Sequence, residues 1–258
     1  MWKTIKIRLV ILRERSRYNR WKKDHPDASY DQYYVEKVNE RLDSGEAHIT
    51  LGKKQSDADW SMNSAAAELA YFIEQGLLPH HRVVDFGCGS LRLGKALMEY
   101  LEPGNYLGMD VTDRYFTEGQ QHLEAGTRET KQPRFAVIDA DSLAEATAWS
   151  PDFIVSTGVI MHVPTIELLP FLERILSLLS KPEANMYIAF RETPATVQVA
   201  TMTWYYPGSE LVELVKARGF DAKVVRVPKM EELIAAREPK GKGPYRLLRC
   251  RYSEQASN

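Results

Sequence analysis

Cysteine is nearly missing from this chain: Cys88 and Cys250 are the only two among 258 residues. Two thiols cannot build a disulfide framework, and their scarcity points to a reducing, cytoplasmic compartment. Glycine and proline, 15 and 13 residues, are too few for a collagen-like or low-complexity chain. No apolar run approaches the ~18 residues that a membrane-spanning helix needs. Net charge is almost nil, 34 basic against 35 acidic residues, so no chain-wide attraction to nucleic acid is expected. No His/Cys cluster has metal-ligand spacing, and no metal is expected. What is present is ordinary globular composition, 44% hydrophobic and 27% charged. The length suits one large domain, or a domain with an extension.

The charge is unevenly placed. Residues 1–23 hold nine basic residues and one acid, so that segment is +8 and the rest of the chain −9. Trp2, Ile5, Leu9 and Leu12 fall on one helix face, although Ile5, Ile7, Leu9 and Ile11 also alternate as a strand would. Arg8 interrupts the apolar run and no small-residue cleavage site follows, so this is a poor signal peptide. Two readings stand: a basic segment touching an anionic membrane at its inner face, or a solvated helix packed on its own domain.

A second helix is expected from Ser29, which forms a capping box with Gln32. Tyr30, Tyr34, Val38 and Leu42 line its face, and Gly45 stands at its end. A loop over 46–56 leads to a helix near 61–75. From residue 81 short apolar runs alternate with helical stretches. Strands are expected at 82–86, 106–110, 134–138, 153–157 and 186–190, and helices near 91–101, 113–125, 165–179 and 209–218. This alternation implies a parallel sheet with helices on both faces. Strands at 223–227 and 245–251 follow without a clear helix between them, and should be antiparallel.

The strongest local signal is Val83-Val84-Asp85-Phe86-Gly87-Cys88-Gly89-Ser90-Leu91-Arg92-Leu93-Gly94. A buried strand runs into a Gly-x-Gly turn that opens a helix, at the end of the sheet where ligands bind. A dinucleotide fold wants Gly-x-Gly-x-x-Gly. Here Arg92 occupies the third position, and Asp85 would repel a pyrophosphate. A carboxylate there suits an ammonium group instead.

The segment Val83 to Gly89 resembles the first motif of the class I S-adenosylmethionine-dependent methyltransferases. The likeness runs from the helix near 61 to the last two strands. It implies a Rossmann-like α/β fold: a seven-stranded, mostly parallel sheet whose last strand is antiparallel, here with a helical N-terminal extension. The domain would span 57–253, after an extension over 1–56 and before a tail at 254–258. The resemblance implies that Asp85, Phe86, Gly87, Cys88 and Gly89 line the cofactor S-adenosylmethionine, with Val111 and Thr157 beside it. Asp110, at the end of Tyr106–Asp110, takes the role of the acid that holds the ribose hydroxyls; Asp113 or Thr112 could cap the next helix in its place. After the third strand, Asp139 and Ala140 fall at the adenine, with Asp141 as the alternative to Asp139. Pro151 to Pro164 resembles the fourth motif and carries His162 beside the methyl donor.

Methyl transfer needs alignment more than a dedicated catalyst. A hydroxyl acceptor is the exception, since its proton must leave. His162 is the candidate base, and equally a candidate structural histidine. His80 and His81 lie at the wrong end of the sheet, and His25, His48 and His122 have no evident partner. An Asn/Asp-Pro-Pro-aromatic signature is lacking after the fourth strand, as is a Pro-Cys nucleophile. DNA and protein-glutamine acceptors are therefore disfavoured, and with them cytosine C5 chemistry. A small molecule, a sugar or glycan, or a lipid-linked acceptor remains, methylated at oxygen. Tyr30, Tyr33, Tyr34, Trp60, Trp204, Tyr205 and Tyr206 stand at lid positions or are core packing; Tyr34 and Trp204 are the acceptor candidates among them. Arg191 would take an acidic group of the acceptor, or pair with Glu192 or Glu210. The competing reading of the whole chain is a cofactor-binding or partner protein without turnover.

Overall fold

The computed structural model describes residues 16–44, 55–237 and 243–253. The apolar face of residues 2–12, Gly45, His48, most of the 46–56 loop and the 254–258 tail lie outside the described residues. Among the described residues, no helix is long and apolar enough to cross a membrane.

Helix α1 (residues 16–24) leads to α2 (Tyr30–Asp43). The Ser29 capping box is present in both halves, Gln32 N to Ser29 Oγ and Ser29 N to Gln32 Oε1. Helix α3 (Gln55–Glu74) starts earlier than the expected 61. Then come β1 (Val83–Phe86), α4 (Arg92–Tyr100), β2 (Tyr106–Asp110), α5 (Asp113–Gln120), α6 (Thr127–Lys131), β3 (Arg134–Val137), α7 (Ala140–Ala148), β4 (Phe153–Ser156), α8 (Leu168–Leu176) and β5 (Asn185–Arg191). A two-stranded hairpin, β6 (Val197–Ala200) and β7 (Thr203–Tyr205), precedes α9 (Gly208–Lys216), β8 (Phe220–Val225), α10 (Pro228–Arg237) and β9 (Tyr245–Tyr252).

The sheet runs β3-β2-β1-β4-β5-β9-β8. Strands β1 to β5 are parallel, and β9 lies antiparallel to both β5 and β8. Strand β1 is central: Val83 registers with Tyr106 on one side and Phe153 on the other. Its side chains alternate between two cores, as strand pleating requires. Val84 and Phe86 pack with Phe171, Leu172 and Ile175 of α8. Val83 packs on the other face with Phe72 of α3 and Leu97 and Met98 of α4. Burial on both faces is why the central strands β1, β2, β4 and β5 read as continuous apolar runs.

Several elements were not anticipated. Helix α10 fills part of the 228–243 connection, in which no helix is expected. Its apolar positions are only Met230, Leu233 and Ile234, set among charges, and it packs on the α3 side of the sheet. It does not cross over the sheet, so β8 and β9 still meet antiparallel. The β6–β7 hairpin, α6 and α7 are likewise additions. A third cluster joins Tyr30 and Tyr33 of α2 to Met202 in the hairpin, with Tyr18, Trp21, Tyr34 and Trp204 around it. Through it the N-terminal helices and the hairpin close over the same end of the sheet.

Candidate functional site

The carboxyl ends of β1, β2 and β4 meet at a cavity of about 440 Å³, where open parallel sheets hold ligands. Its floor is the glycine turn. Gly87 N and Cys88 N both donate to Met109 O, at 2.7 and 3.0 Å, tying the turn to β2. Gly87 has φ +80°, and a Cβ there would stand 2.1 Å from Val159 Cγ2. Neither backbone angle nor space admits a side chain.

Asp110 ends β2 and is buried. One carboxylate oxygen accepts from Gly89 N and the other from Val111 N, both at 2.8 Å. Burial nevertheless raises its pKa to about 6, against these bonds. A carboxylate has roughly four acceptor sites, so lone pairs remain for a ligand. Thr112 caps α5, accepting from Arg114 N at 3.4 Å, which leaves Asp110 to the cavity. Asp85 is more deeply buried. It accepts from Tyr106 Oη at 3.0 Å, and burial lifts its pKa to about 7.

Arg92 also lines the cavity, in the first turn of α4. It donates to Ser64 Oγ at 3.0 Å, Glu68 at 2.7 Å and Thr157 Oγ1 at 2.9 Å. Tyr245 Oη of β9 donates to the other oxygen of Glu68 at 2.8 Å. The sequence marks Arg92 only as the residue that breaks a dinucleotide pattern. Its place in the first turn after the glycine turn was the available signal.

The opposite end of the cavity is built by α2, α8, the hairpin and the segment after β4. Tyr30, Asp31 and Tyr34 come from α2, and Arg174 from α8. His162 closes a short 3-10 turn, Ile160–His162. Its Nδ1 lies 2.8 Å from Met202 O. A carbonyl only accepts, so Nδ1 carries a proton, and in the neutral ring Nε2 is the basic nitrogen. The Tyr34 ring is centred 5.7 Å from the imidazole. Helix α2 is held at both ends: Asp31 pairs with Arg174, while Asp43 and Asn39 accept from Arg114 of α5 at 2.8 and 3.2 Å.

The cavity therefore gathers Asp85, Phe86, Gly87, Cys88, Gly89, Asp110, Val111, Thr157, Tyr34 and His162. It does not gather Asp139, Ala140, Arg191 or Trp204. Asp139 is instead the N-cap of α7: its carboxylate accepts from Ser142 N at 2.8 Å, which holds its pKa below the usual range. Ala140 begins that helix, and Ile138 takes the place on the cavity wall. Arg191 is buried and lies over the Tyr205 ring at 5.9 Å. Glu192 is held by Arg246 at 2.9 Å, and Glu210 by Thr196 at 2.8 Å. Trp204 packs edge-on against Tyr30 at 6.1 Å, one layer behind its neighbour Thr203, which does line the cavity. Tyr33 and Tyr206 are core residues, and Trp60 stacks with Arg237 at 4.8 Å.

Residues 84–182 match a family model described as a methyltransferase domain. No curated protein matches. Among solved structures, the chain is similar to magnesium protoporphyrin IX methyltransferase from Synechocystis PCC 6803 with bound S-adenosylmethionine: TM-score 0.58, 17% identity, 88% of this chain and 99% of that one. It is similar to 1,6-didemethyltoxoflavin-N1-methyltransferase of Burkholderia thailandensis, crystallised with its acceptor and S-adenosylhomocysteine: TM-score 0.58, 19% identity, 88% and 92% coverage. It is also similar to phosphoethanolamine N-methyltransferase 1 of Haemonchus contortus, in complex with phosphoethanolamine and S-adenosylhomocysteine. There the TM-score is 0.59 and the identity 16%, over 87% of this chain and 49% of that one. At these identities the likeness establishes the fold.

Proposed function

We propose that this class I S-adenosylmethionine-dependent methyltransferase methylates a hydroxyl oxygen of a small acceptor held between His162 and the underside of α2. The observation that carries the reading is the His162 Nδ1 to Met202 O bond at 2.8 Å in the cavity wall. It fixes the tautomer in which Nε2 accepts a proton from a bound hydroxyl.

When bound, S-adenosylmethionine supplies a sulfonium-activated methyl group. The glycine turn, with Asp85 and Phe86, would hold it together with Val111 and Thr157. Asp85 suits an ammonium group and Asp110 a pair of ribose hydroxyls. Arg92 suits a carboxylate. Ile138 offers an apolar wall for an adenine ring in place of Asp139. Tyr30 and Tyr34 present aromatic rings with hydroxyl tips, which fits a sugar or other small polar acceptor. Helices α1 and α2, within an N-terminal extension over 1–56, serve as a lid on a domain spanning 57–253.

The +8 segment at residues 1–23 suits peripheral contact with an anionic inner membrane face, and hence a glycan-type or lipid-linked acceptor in the cytoplasm. Arg17, Arg20 and Lys23 are exposed on α1, while Tyr18 and Trp21 pack inward on Tyr33 at 5.1 and 5.2 Å. A nitrogen acceptor is the second reading, since two of the similar proteins are named N-methyltransferases.

The test is calorimetric titration with S-adenosylmethionine and S-adenosylhomocysteine, then labelled-methyl transfer to nucleotide sugars, glycolipids and their amino analogues. Transfer to hydroxyl acceptors that collapses in His162→Asn supports the reading. Transfer to amines alone, indifferent to His162, replaces it with the second. Co-sedimentation with anionic vesicles that survives deletion of residues 1–23 would remove the membrane role.

A further inference from the structure

We propose that the acceptor carries an oxyanion, a carboxylate or phosphoryl group, which exchanges with Asp31 on the guanidinium of Arg174. The inference rests on the reading of the cavity as a methyl-transfer site and names the chemical class of what enters it.

The cavity has charge at two ends. At the glycine-turn end the arginine and the two aspartates all have partners: Arg92 on Ser64, Glu68 and Thr157, Asp110 on two backbone N–H groups, Asp85 on Tyr106. At the other end stand Asp31 and Arg174, 143 residues apart in sequence and both on the cavity wall. The same cavity wall carries the side chains of Tyr34, Met161, Thr203 and His162.

The ion pair is only half built. Asp31 takes one terminal nitrogen of Arg174, Nη1. The Nε–H is buried and has no hydrogen-bond partner among the described residues. A buried donor left unmade costs stability, and a guanidinium is matched best by an oxyanion that spans two of its nitrogens. Asp31 does not do this. Meanwhile its side chain and that of Arg174 keep 27% and 32% of their exposure. Water and solute therefore reach the pair, and such pairs are weak enough to exchange.

The sign of the ligand follows from what each exchange would leave behind. A cationic acceptor would have to draw Asp31 away, stripping Arg174 of its one carboxylate and leaving Nε unmet. An anionic acceptor replaces Asp31 on Arg174, satisfies Nε and Nη together, and releases Asp31 toward solvent. The second exchange leaves no buried charge alone. The basic face of α1 adds to this: Arg17, Arg20 and Lys23 are exposed on the helix that packs against α2, and they draw anions toward this end of the protein.

Asp31 belongs to the first turn of α2. An oxyanion that takes Arg174 thus frees one end of that helix, while Arg114 keeps the other on Asp43 and Asn39. Acceptor charge and the seating of α2 become one equilibrium.

The experiment uses the full chain saturated with S-adenosylhomocysteine. Phenyl phosphate, benzoate and the neutral benzyl alcohol are titrated into it by calorimetry, with Arg174→Met and Asp31→Asn alongside the wild type. At least one anion should bind tenfold or more tightly than benzyl alcohol. Arg174→Met should reduce it to the level of the alcohol, and Asp31→Asn should strengthen it several-fold by removing the competitor. The tighter anion identifies the substituent as phosphoryl or carboxylate. Equal binding of anions and alcohol to the wild type overturns the proposal, with no reliance on either variant's folding. So does anion binding that ignores Arg174. Failure of S-adenosylhomocysteine itself to bind would strike the methyl-transfer reading and is read separately, before any probe is added.

Discussion

Asp110 reaches from the end of β2 to the backbone N–H of Gly89 at 2.8 Å. One carboxylate thereby fixes the glycine turn and faces the cavity. The two duties share one side chain, so a substitution there acts on both.

Asp110→Ala should weaken S-adenosylhomocysteine binding by about 1–3 kcal/mol, through lost charge-assisted hydrogen bonds. Asp110→Asn keeps an oxygen for one of the two N–H groups and should fall between. Calorimetry gives the ordering; unchanged affinity in the alanine variant would sink the ribose assignment.

Glu68 is 2% exposed and its charge is met by Arg92 at 2.7 Å. Arg92→Met strands that carboxylate, and the loss should be about 3–5 kcal/mol. The double change Arg92→Met, Glu68→Leu should recover most of the stability and none of the ligand affinity. Chemical denaturation of the two variants against wild type checks the first half, calorimetry the second. A double variant no more stable than the single would contradict the ion-pair account.

Buried Asp85 and Asp110 are raised to about 7 and about 6 from an ordinary 3.8. The folded protein therefore holds these protons more tightly than the unfolded chain. Their stabilising contribution is full below about pH 4 and is lost as pH rises through 6 to 7. Between pH 5 and pH 8 the Tm of the ligand-free protein should drop, and Asp85→Asn should flatten that drop. Affinity for an ammonium-bearing ligand should move the other way, rising as Asp85 ionises. Scanning calorimetry across this range decides; parallel curves for wild type and Asp85→Asn would show that Asp85 keeps an ordinary pKa.

His162→Asn retains a donor for Met202 O but has no basic nitrogen. With a hydroxyl acceptor, turnover should slow by ~10²-fold or more at unchanged cofactor affinity. The limb of the rate profile that reports deprotonation of the base should vanish. Near-normal single-turnover rates in the variant would make His162 structural.

The sheet was legible because its central strands β1, β2, β4 and β5 are buried on both faces and write themselves as apolar runs, and the glycine turn because its backbone demands glycine. Ser29 and Gln32 announced α2 through a local capping bond. What stayed hidden depends on contacts distant in sequence. Arg92 meets Glu68, 24 residues away, and Asp31 meets Arg174, 143 away. No local pattern records either. Asp139 misled for the converse reason. Its position after β3 resembles a ligand contact, but Ser142, three residues on, engages it as a helix cap. Helix α10 escaped because few apolar positions mark its buried side. Arg191, expected to take an acidic group of the acceptor, is instead buried beside Tyr205 and off the cavity wall.

Strand β9 lies between β5 and β8, and its Tyr245 holds Glu68, 177 residues earlier. On the ribosome the first strand of the site emerges long before the one that braces it. A nascent chain halted before residue 245 has β5 with an open edge and Glu68 without its tyrosine. Arg92 then has an incompletely oriented partner. Ligand binding by such a chain should be poor, so the glycine turn, though made early, should become competent only once β9 has been made. Affinity for S-adenosylhomocysteine should thus report whether β9 has been made and paired.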